Sequence, residues 1–378
     1  MKIGILTLPQ ETNYGGILQA FALQYILRKM GHDVMTIDRH RRRGYSSWFI
    51  HIGSFISRQL KYYMLHKNVS TKWIPYPTDE EYAYISQNTQ RFIDRNMLLT
   101  RRIYVDQIED IEKEYQFDAY IVGSDQVWLD YYCPNSFLDF VKRPNVKRVT
   151  YAASCGMKSF FSDENKVMKC KELAHTFTGI SVREKGLVSL CKEKLGINAK
   201  WVLDPTMLLT EAEYKKAIVP AVSENPIVFS YILDGNNYKW NLVKQFASKM
   251  QLPIIEGNSQ KNYIKNPKTR IEACVYPSVD DWLNNMLRAE FVITDSFHGT
   301  VFSILFNKPF LTIGNIKRGI GRFESLLKMF GLENRLVEEF QIIDIEHFIS
   351  EKVDFDTVNT IINMKRRESL DFLTSCLS

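Results

Sequence analysis

The chain has 378 residues, 45% of them hydrophobic and 24% charged, with a formal net charge of +6. That is an ordinary globular balance, in a length that suits two domains better than one. The modest positive charge fits an anionic substrate or an acidic membrane surface without demanding nucleic acid, and six scattered cysteines with no CxxC pair argue against a zinc site or a disulfide framework.

The N-terminal KIGILTL (2–8) reads as a buried strand, and its apolar run is too short for a secretory signal. GILQAFALQYILRKMG (16–31) follows as an amphipathic helix closed by Gly31. Between them, in TNYGGILQAFAL (12–23), Gly15 and Gly16 let the backbone turn tightly and bare amides at a helix N-terminus. Such amides suit an anion or a polar ligand; a turn that needs glycine for its shape alone is the alternative. Neither GxGxxG nor GxxxxGK[ST] occurs, so no dinucleotide or P-loop fingerprint is present.

DVMTID (33–38) is the next strand. A basic run, Arg39–Arg43 counting His40, then opens a segment, 39–73, rich in Trp, Phe, Ile, Tyr and Leu. Such a segment lies on an anionic membrane interface, or packs on the core with a solvated basic turn. Further strands are expected at DAYIVGS (118–124), RVTYAAS (148–154), FTGISVRE (177–184) and WVLDPTMLL (201–209). In YIVGSDQVW (120–128), Asp125 either caps a following helix or accepts from a sugar hydroxyl, with Trp128 offering an apolar face to the ring. At the end of ISVRE, Arg183 is a bidentate clamp for carboxylate or phosphate, or else the partner of Glu184 in a surface ion pair.

Residues 210–226 read as a helix followed by a linker, after which the pattern restarts. Strands are expected at 226–233, 252–257, 290–296 and 309–315, with helices at 241–250, near 280–288 and after His298. In TDSFHGT (294–300), His298 stands at a strand end with Gly299 permitting close approach, and with Asp295 and Ser296 placed to orient it or a substrate. Imidazole is the side chain best suited to proton transfer near neutrality, and an ordinary structural histidine is the alternative. NIKRGIGRFESLLKMFGL (315–332) sets Lys317, Arg318 and Arg322 before a helix, where they oppose its dipole. An anionic ligand would relieve that opposition. Apolar residues at helical spacing predict a terminal helix within 357–377.

Near-continuously apolar strands separated by helices indicate parallel sheets covered on both faces. The expected architecture is α/β: two Rossmann-like doubly wound units, 1–215 and 216–355, face a central cleft, and a helix at 356–378 packs back on the body. Nowhere do 18 consecutive apolar residues occur, so no membrane-spanning helix is expected and a cytoplasmic protein is.

Taken in order, NYGGILQAFAL, FDAYIVGSDQVW, YAASCG, ISVRE, VLDPTMLL, ITDSFHGTVFSILFNKPF and GRFESLLKMFGL resemble the polysaccharide pyruvyl transferases over nearly the whole chain. The resemblance implies a GT-B-like fold. It also implies transfer of the enolpyruvyl group of phosphoenolpyruvate onto two hydroxyls of a sugar, free or lipid-linked, as a cyclic ketal with release of phosphate. That chemistry needs no metal or other cofactor and no nucleic acid. With it goes a cytoplasmic location, in peripheral contact with the inner membrane through 39–73. The matching residues are His298 for proton transfer; Arg183, Arg322, Arg318, Lys317 and Ser296 around the donor; and Asn13, Tyr14, Gly15, Gly16 and Asp125 beside the acceptor. Many members have arginine where this chain has Ser296, so the anion contact there is lost or passes to Lys317 or Arg318. The rival readings are a GT-B glycosyltransferase using a nucleotide sugar and a non-catalytic glycan-assembly protein on the same scaffold.

Overall fold

The computed structural model describes residues 1–40, 48–66, 76–156, 163–263, 270–314 and 319–378, with side chains from residue 55 onward in the second stretch. The strands are β1 (Lys2–Leu6), β2 (Asp33–Thr36), β3 (Arg39–His40), β4 (Ile103–Tyr104), β5 (Ala119–Val122), β6 (Lys147–Ala153), β7 (Gly179–Val182), β8 (Lys200–Trp201), β9 (Ile227–Tyr231), β10 (Ile254–Glu256), β11 (Ala289–Thr294), β12 (Phe310–Ile313) and β13 (Leu336–Val337). The helices are α1 (Tyr14–Lys29), α2 (Trp48–Tyr63), α3 (Asp79–Asn96), α4 (Ile108–Tyr115), α5 (Glu164–Ala174), α6 (Lys185–Leu190), α7 (Glu211–Ala217), α8 (Asn237–Met250), α9 (Val279–Arg288), α10 (Phe297–Leu305), α11 (Gly321–Phe330), α12 (Ile345–Ser350) and α13 (Phe355–Leu377).

Two all-parallel sheets result, in the orders β2-β1-β5-β6-β7-β8 and β10-β9-β11-β12-β13. Their central strands are buried along their whole length, as in AYIV of β5, IVFSY of β9 and FLTI of β12. That is what a sheet covered on both faces requires. In each sheet the chain steps to one side and then doubles back. The strand order therefore reverses between β1 and β5 and again between β9 and β11, and a ligand crevice forms outside the strand ends at such points.

The two units share one apolar interior. Helix α1 is buried on almost every face. At its head the Tyr14 ring stacks on Trp282 at 5.6 Å, meets Tyr231 edge-on at 5.8 Å, and donates its hydroxyl to the Pro277 carbonyl at 2.8 Å. Tyr214 on α7 packs among Phe21, Phe302 and Phe306, so a single cluster runs from the first sheet into the second.

Helix α13 lies against the N-terminal sheet. Ser369 Oγ accepts from the Leu203 amide at 3.1 Å, and Arg366 donates to the carbonyls of Met207 and Leu209. Gly179 on β7 leaves room for Cys376, whose sulfur a Cβ there would meet at 2.3 Å.

One expected strand is shorter than its apolar run. Within 201–209, β8 stops at Trp201 and Pro205–Leu208 forms a 3-10 turn. Pro205 has no amide to give a ladder, and Asp204 caps the turn by accepting from the Thr206 amide at 3.0 Å. Replacing the fully buried Leu373 by alanine should cost about 2–5 kcal/mol, read from the urea midpoint. A change below about 0.5 kcal/mol would mean that α13 unfolds separately from the body.

Candidate active site

Both strand-order reversals open onto one pocket of about 280 Å³. Asn13, Asp125 and Gln126 line it from the N-terminal unit, and Ser296, His298 and Arg322 from the C-terminal unit.

His298 is the second residue of α10. The helix starts tightly against the end of β11, for two reasons. Ser296 is its N-cap, with Oγ accepting from the Gly299 amide at 3.4 Å, and Gly299 packs so close that a Cβ there would lie 2.2 Å from Thr294 Oγ1. The imidazole in turn lies on Gly15 of α1, where a Cβ would sit 2.0 Å from Nδ1. Gly15 is thus the part of the NYGG motif that admits the histidine of the other unit. The His298 side chain is only 7% exposed, and its Nε2 is buried with no hydrogen-bond partner. The Asp204 carboxylate oxygen Oδ2 lies 3.6 Å from Nε2, too long for a hydrogen bond but close enough to act electrostatically on a charge carried by the ring.

Asp204 is the residue that the sequence reading missed. Its only local signal is the Asp-Pro pair closing WVLDP at a strand end. Oδ1 accepts from the amide and hydroxyl of Thr206, and Oδ2 from Ser124 Oγ at 3.2 Å and Arg183 Nη1 at 3.0 Å. Burial alone would raise its pKa. The contacts with His298, Arg183 and Thr206 outweigh burial and hold the carboxyl well below the usual carboxylate range.

Arg183 follows β7 but presents no open fork to the pocket. Its side chain is 2% exposed, and its nitrogens reach Asp204, Asp125 at 3.2 Å and Glu184 at 3.3 Å. The guanidinium also lies 4.2 Å from the centre of the Phe297 ring. The ion pair with Glu184 exists, but it is buried and belongs to a cluster with two further carboxylates. Glu184 takes a second hydrogen bond from Ser154 Oγ at 2.8 Å, and burial raises its pKa despite Arg183. In this geometry Arg183 is a positioning residue behind the pocket wall.

Of the other expected residues, some line the pocket and some lie away from it. Tyr14 belongs to the interior between the units and is fully buried, away from the pocket. Asp125 caps no helix, because 126–129 form a turn; it has a left-handed φ of +67° and gives its carboxylate to Arg183. Trp128 is buried and stacked on Phe137 at 5.2 Å, so it offers no face to a sugar. Asp295 turns away from His298 to pair with Lys239 at 2.8 Å and to accept from the amides of Leu233 and Asp234. A Cβ on Gly16 would come nearest to its neighbour Asn13, at 3.2 Å. Arg322 sits in the first turn of α11 at the pocket, with its guanidinium 5.8 Å from the centre of the same Phe297 ring. Lys317, Arg318 and Arg41 to Arg43 lie outside the described residues.

A sequence model of the family described as polysaccharide pyruvyl transferase matches residues 13–317. No curated protein sequence matches. Among solved structures, Arabidopsis thaliana UGT89C1 complexed with UDP-L-rhamnose superposes with a TM-score of 0.52 at 10% identity, over 99% of this chain and 98% of its own. UDP-GlcNAc 2-epimerase from Neisseria meningitidis, bound to UDP-GlcNAc, gives 0.46 at 9% identity over 98% and 99%. The glycosyltransferase SsfS6 of Streptomyces sp. SF2575 gives 0.36 at 12% over 99% and 96%. The similarity to the Arabidopsis protein carries the fold, which is GT-B.

Because the Asp204 carboxyl titrates lower in the folded chain than in the unfolded one, its stabilising contribution is present above about pH 3.9 and is lost as the pH falls further. The urea midpoint of the native chain should therefore drop more between pH 5 and pH 3 than that of Asp204→Asn. Parallel pH profiles would mean that the carboxylate contributes nothing there.

Proposed function

Since the chain belongs to the polysaccharide pyruvyl transferase family, we propose that it moves the enolpyruvyl group of phosphoenolpyruvate onto two hydroxyls of a sugar, as a cyclic pyruvate ketal, with His298 as the proton-transfer group. The observation that carries this reading is the buried, unpartnered Nε2 of His298 in a pocket bounded by both units, with the Asp204 carboxylate behind it.

The chemistry uses one imidazole twice. As the imidazolium, His298 gives its proton to the methylene carbon of the enolpyruvyl group, with the Asp204 carboxylate 3.6 Å from Nε2. The first sugar hydroxyl adds to the central carbon. The bond from that carbon to the phosphate oxygen then breaks, and the departing phosphate takes the proton of the first hydroxyl. The second hydroxyl adds to the same carbon and returns its proton to His298. A methylene becomes a methyl, two C–O bonds replace one, and the imidazole ends as it began.

The walls of the pocket differ in the way two substrates would need. Arg322 lies on the C-terminal side, at the head of α11 and beside the basic residues Lys317 and Arg318 of the sequence, which suits a donor carrying carboxylate and phosphate. Ser296 stands next to His298 on that side. Asn13 and Asp125 lie on the N-terminal side and suit the hydroxyls of an uncharged acceptor. Helices α1 and α10 both bring N-termini without acidic residues in their first turns to the pocket, which adds favourable potential for an anion.

Phosphate release from phosphoenolpyruvate, measured across galactose-, mannose- and glucose-type acceptors, tests the reading. Release should depend on one acceptor and fall at least about 100-fold in His298→Ala, with the melting temperature within a few degrees of native. A collapsed fold in that variant would make the histidine structural. Absence of phosphoenolpyruvate binding would move the nucleotide-sugar alternative ahead.

We further propose that the segment 39–73 docks on an anionic membrane, where a lipid-linked acceptor would be at hand. Arg39 and His40 of the basic run are buried in β3, Arg39 over the Tyr132 ring, so they take no part in the docking. Residues 41–78 contain seven Arg or Lys and no Asp or Glu, so the net positive charge of the whole chain resides in them. Within α2, Ile56, Leu60 and Tyr63 are 51%, 52% and 68% exposed at helical spacing, with Met64 and Leu65 exposed just beyond. A helix packed on the core would bury that stripe; a basic helix with a bare apolar stripe complements an anionic bilayer. Among the described residues no helix is long and apolar enough to cross one. Vesicles of phosphatidylglycerol and phosphatidylcholine should sediment the protein, and the double change Ile56→Glu, Leu60→Glu should weaken this about tenfold or more. Equal affinity for purely phosphatidylcholine vesicles, or indifference to both substitutions, would refute the docking.

A further inference from the structure

A second pocket, of about 390 Å³, borders the same β1–α1 loop. Gln10 and Glu11 form part of its wall, while Asn13 lines the active-site pocket. The two residues from Glu11 to Asn13 span no more than about 7 Å of chain. The remaining wall comes from α3 and from the short β3–β4 pair, so the pocket lies wholly in the N-terminal unit.

This wall is held in place by its own hydrogen bonds. The Tyr82 hydroxyl donates to Glu11 Oε2 at 2.7 Å, and His40 Nδ1 lies 3.3 Å from Glu11 Oε1. His40 Nε2 is 2.6 Å from Asp38 Oδ1, and Arg102 Nε reaches the other Asp38 oxygen at 3.3 Å. Thr89 Oγ1 donates to the Glu11 carbonyl at 2.9 Å, which fastens the loop to α3.

Within this fixed frame one group is left over. Gln10 is only 4% exposed. Its Nε2 donates to the Leu8 carbonyl at 2.7 Å, which fixes the amide's orientation and leaves Oε1 as a buried acceptor with no partner. Buried acceptors are nearly always paired, so this one calls for a hydroxyl or amine donor inside the pocket. An anionic ligand would face Glu11, Asp79 and Asp94 together. A neutral ligand that both donates to Gln10 and Glu11 and accepts from Arg102 meets all of these groups at once. Hydroxyl-rich carbohydrate has that chemistry.

We infer that this pocket is a subsite for a neutral glycosyl residue of the acceptor, one or more units away from the sugar that receives the pyruvyl group. The inference rests on the acceptor being a glycan, as proposed above. It makes the β1–α1 loop the partition between the reacting sugar, at Asn13, and the next part of the chain, at Gln10.

The experiment is equilibrium binding by calorimetry, without phosphoenolpyruvate, using mono- to tetrasaccharides of gluco-, galacto- and manno-configuration. In at least one series affinity should rise about tenfold or more between the monosaccharide and the longer members. Gln10→Leu should erase that rise and leave the monosaccharide affinity unchanged. Tyr104→Ala, at the pocket's edge, is the companion variant should Gln10→Leu not fold. No dependence on length in any series, or a rise that survives these substitutions, overturns the subsite. Because the donor is absent, failure of the pyruvyl-transfer reading would appear separately, as length-dependent binding without phosphate release.

Discussion

Arg183 gathers Asp125, Glu184 and Asp204 around one guanidinium, and each carboxylate follows a different strand: β5, β7 and β8. Taking these groups out of water costs several kcal/mol per ion and is offset only when the whole set is assembled. The three loops therefore cannot shift independently. The Phe297 ring, 4.2 Å from the same guanidinium, extends the constraint to the start of α10 and hence to His298. An arginine that looks in one dimension like an anion clamp serves here as the keystone of the strand ends. Its nitrogens are already engaged by side chains, so the charge that meets a substrate anion has to come from elsewhere.

The imidazole and its carboxylate come from different units. His298 stands on the second sheet's side, and Asp204 and Gly15 on the first sheet's side. The pair exists only while the units remain in contact. The apolar cluster through Tyr14, Trp282, Tyr214 and Phe302 supplies that contact, with aromatic rings 5.1–5.8 Å apart. A Cβ on Gly15 would part the units at the imidazole itself. Close approach is thus part of the site's construction, and the turn geometry of the glycine pair is secondary to the missing side chain.

The alternation of apolar strands and helices was readable because burial on both faces leaves no polar residues to interrupt a strand. His298, Ser296 and Arg322 were readable as pocket residues because each stands where an apolar run ends or a helix begins. What escaped had no local signature. Asp204 follows a strand whose apolar run continues past Pro205, and its role arises only when β8 is laid beside β7 and opposite α10. Tyr14 and Trp128 are polar-tipped aromatics next to motif residues, and only the packing on Trp282 and Phe137 shows them to be interior. Asp295 neighbours the histidine in sequence, but the turn into α10 sends it to Lys239. The second pocket escaped for the same reason, since Gln10, His40 and Tyr82 come from three separate segments.

Ser296 and Arg322 together shape the charge of the C-terminal wall. A serine at the head of α10 caps the helix, which an arginine side chain cannot do because it has no acceptor. Ser296 thus gives α10 a firm start and, being uncharged, sets no cation of its own beside the imidazole. The positive charge is set instead at the head of α11, where Arg322 stands in the first turn together with Glu324. On the proposed reading, Arg322 meets an anionic group of the donor. The proton-transfer group and that cation then sit on different helices, α10 and α11, joined through the Phe297 ring, which meets both the His298 ring and the Arg322 guanidinium.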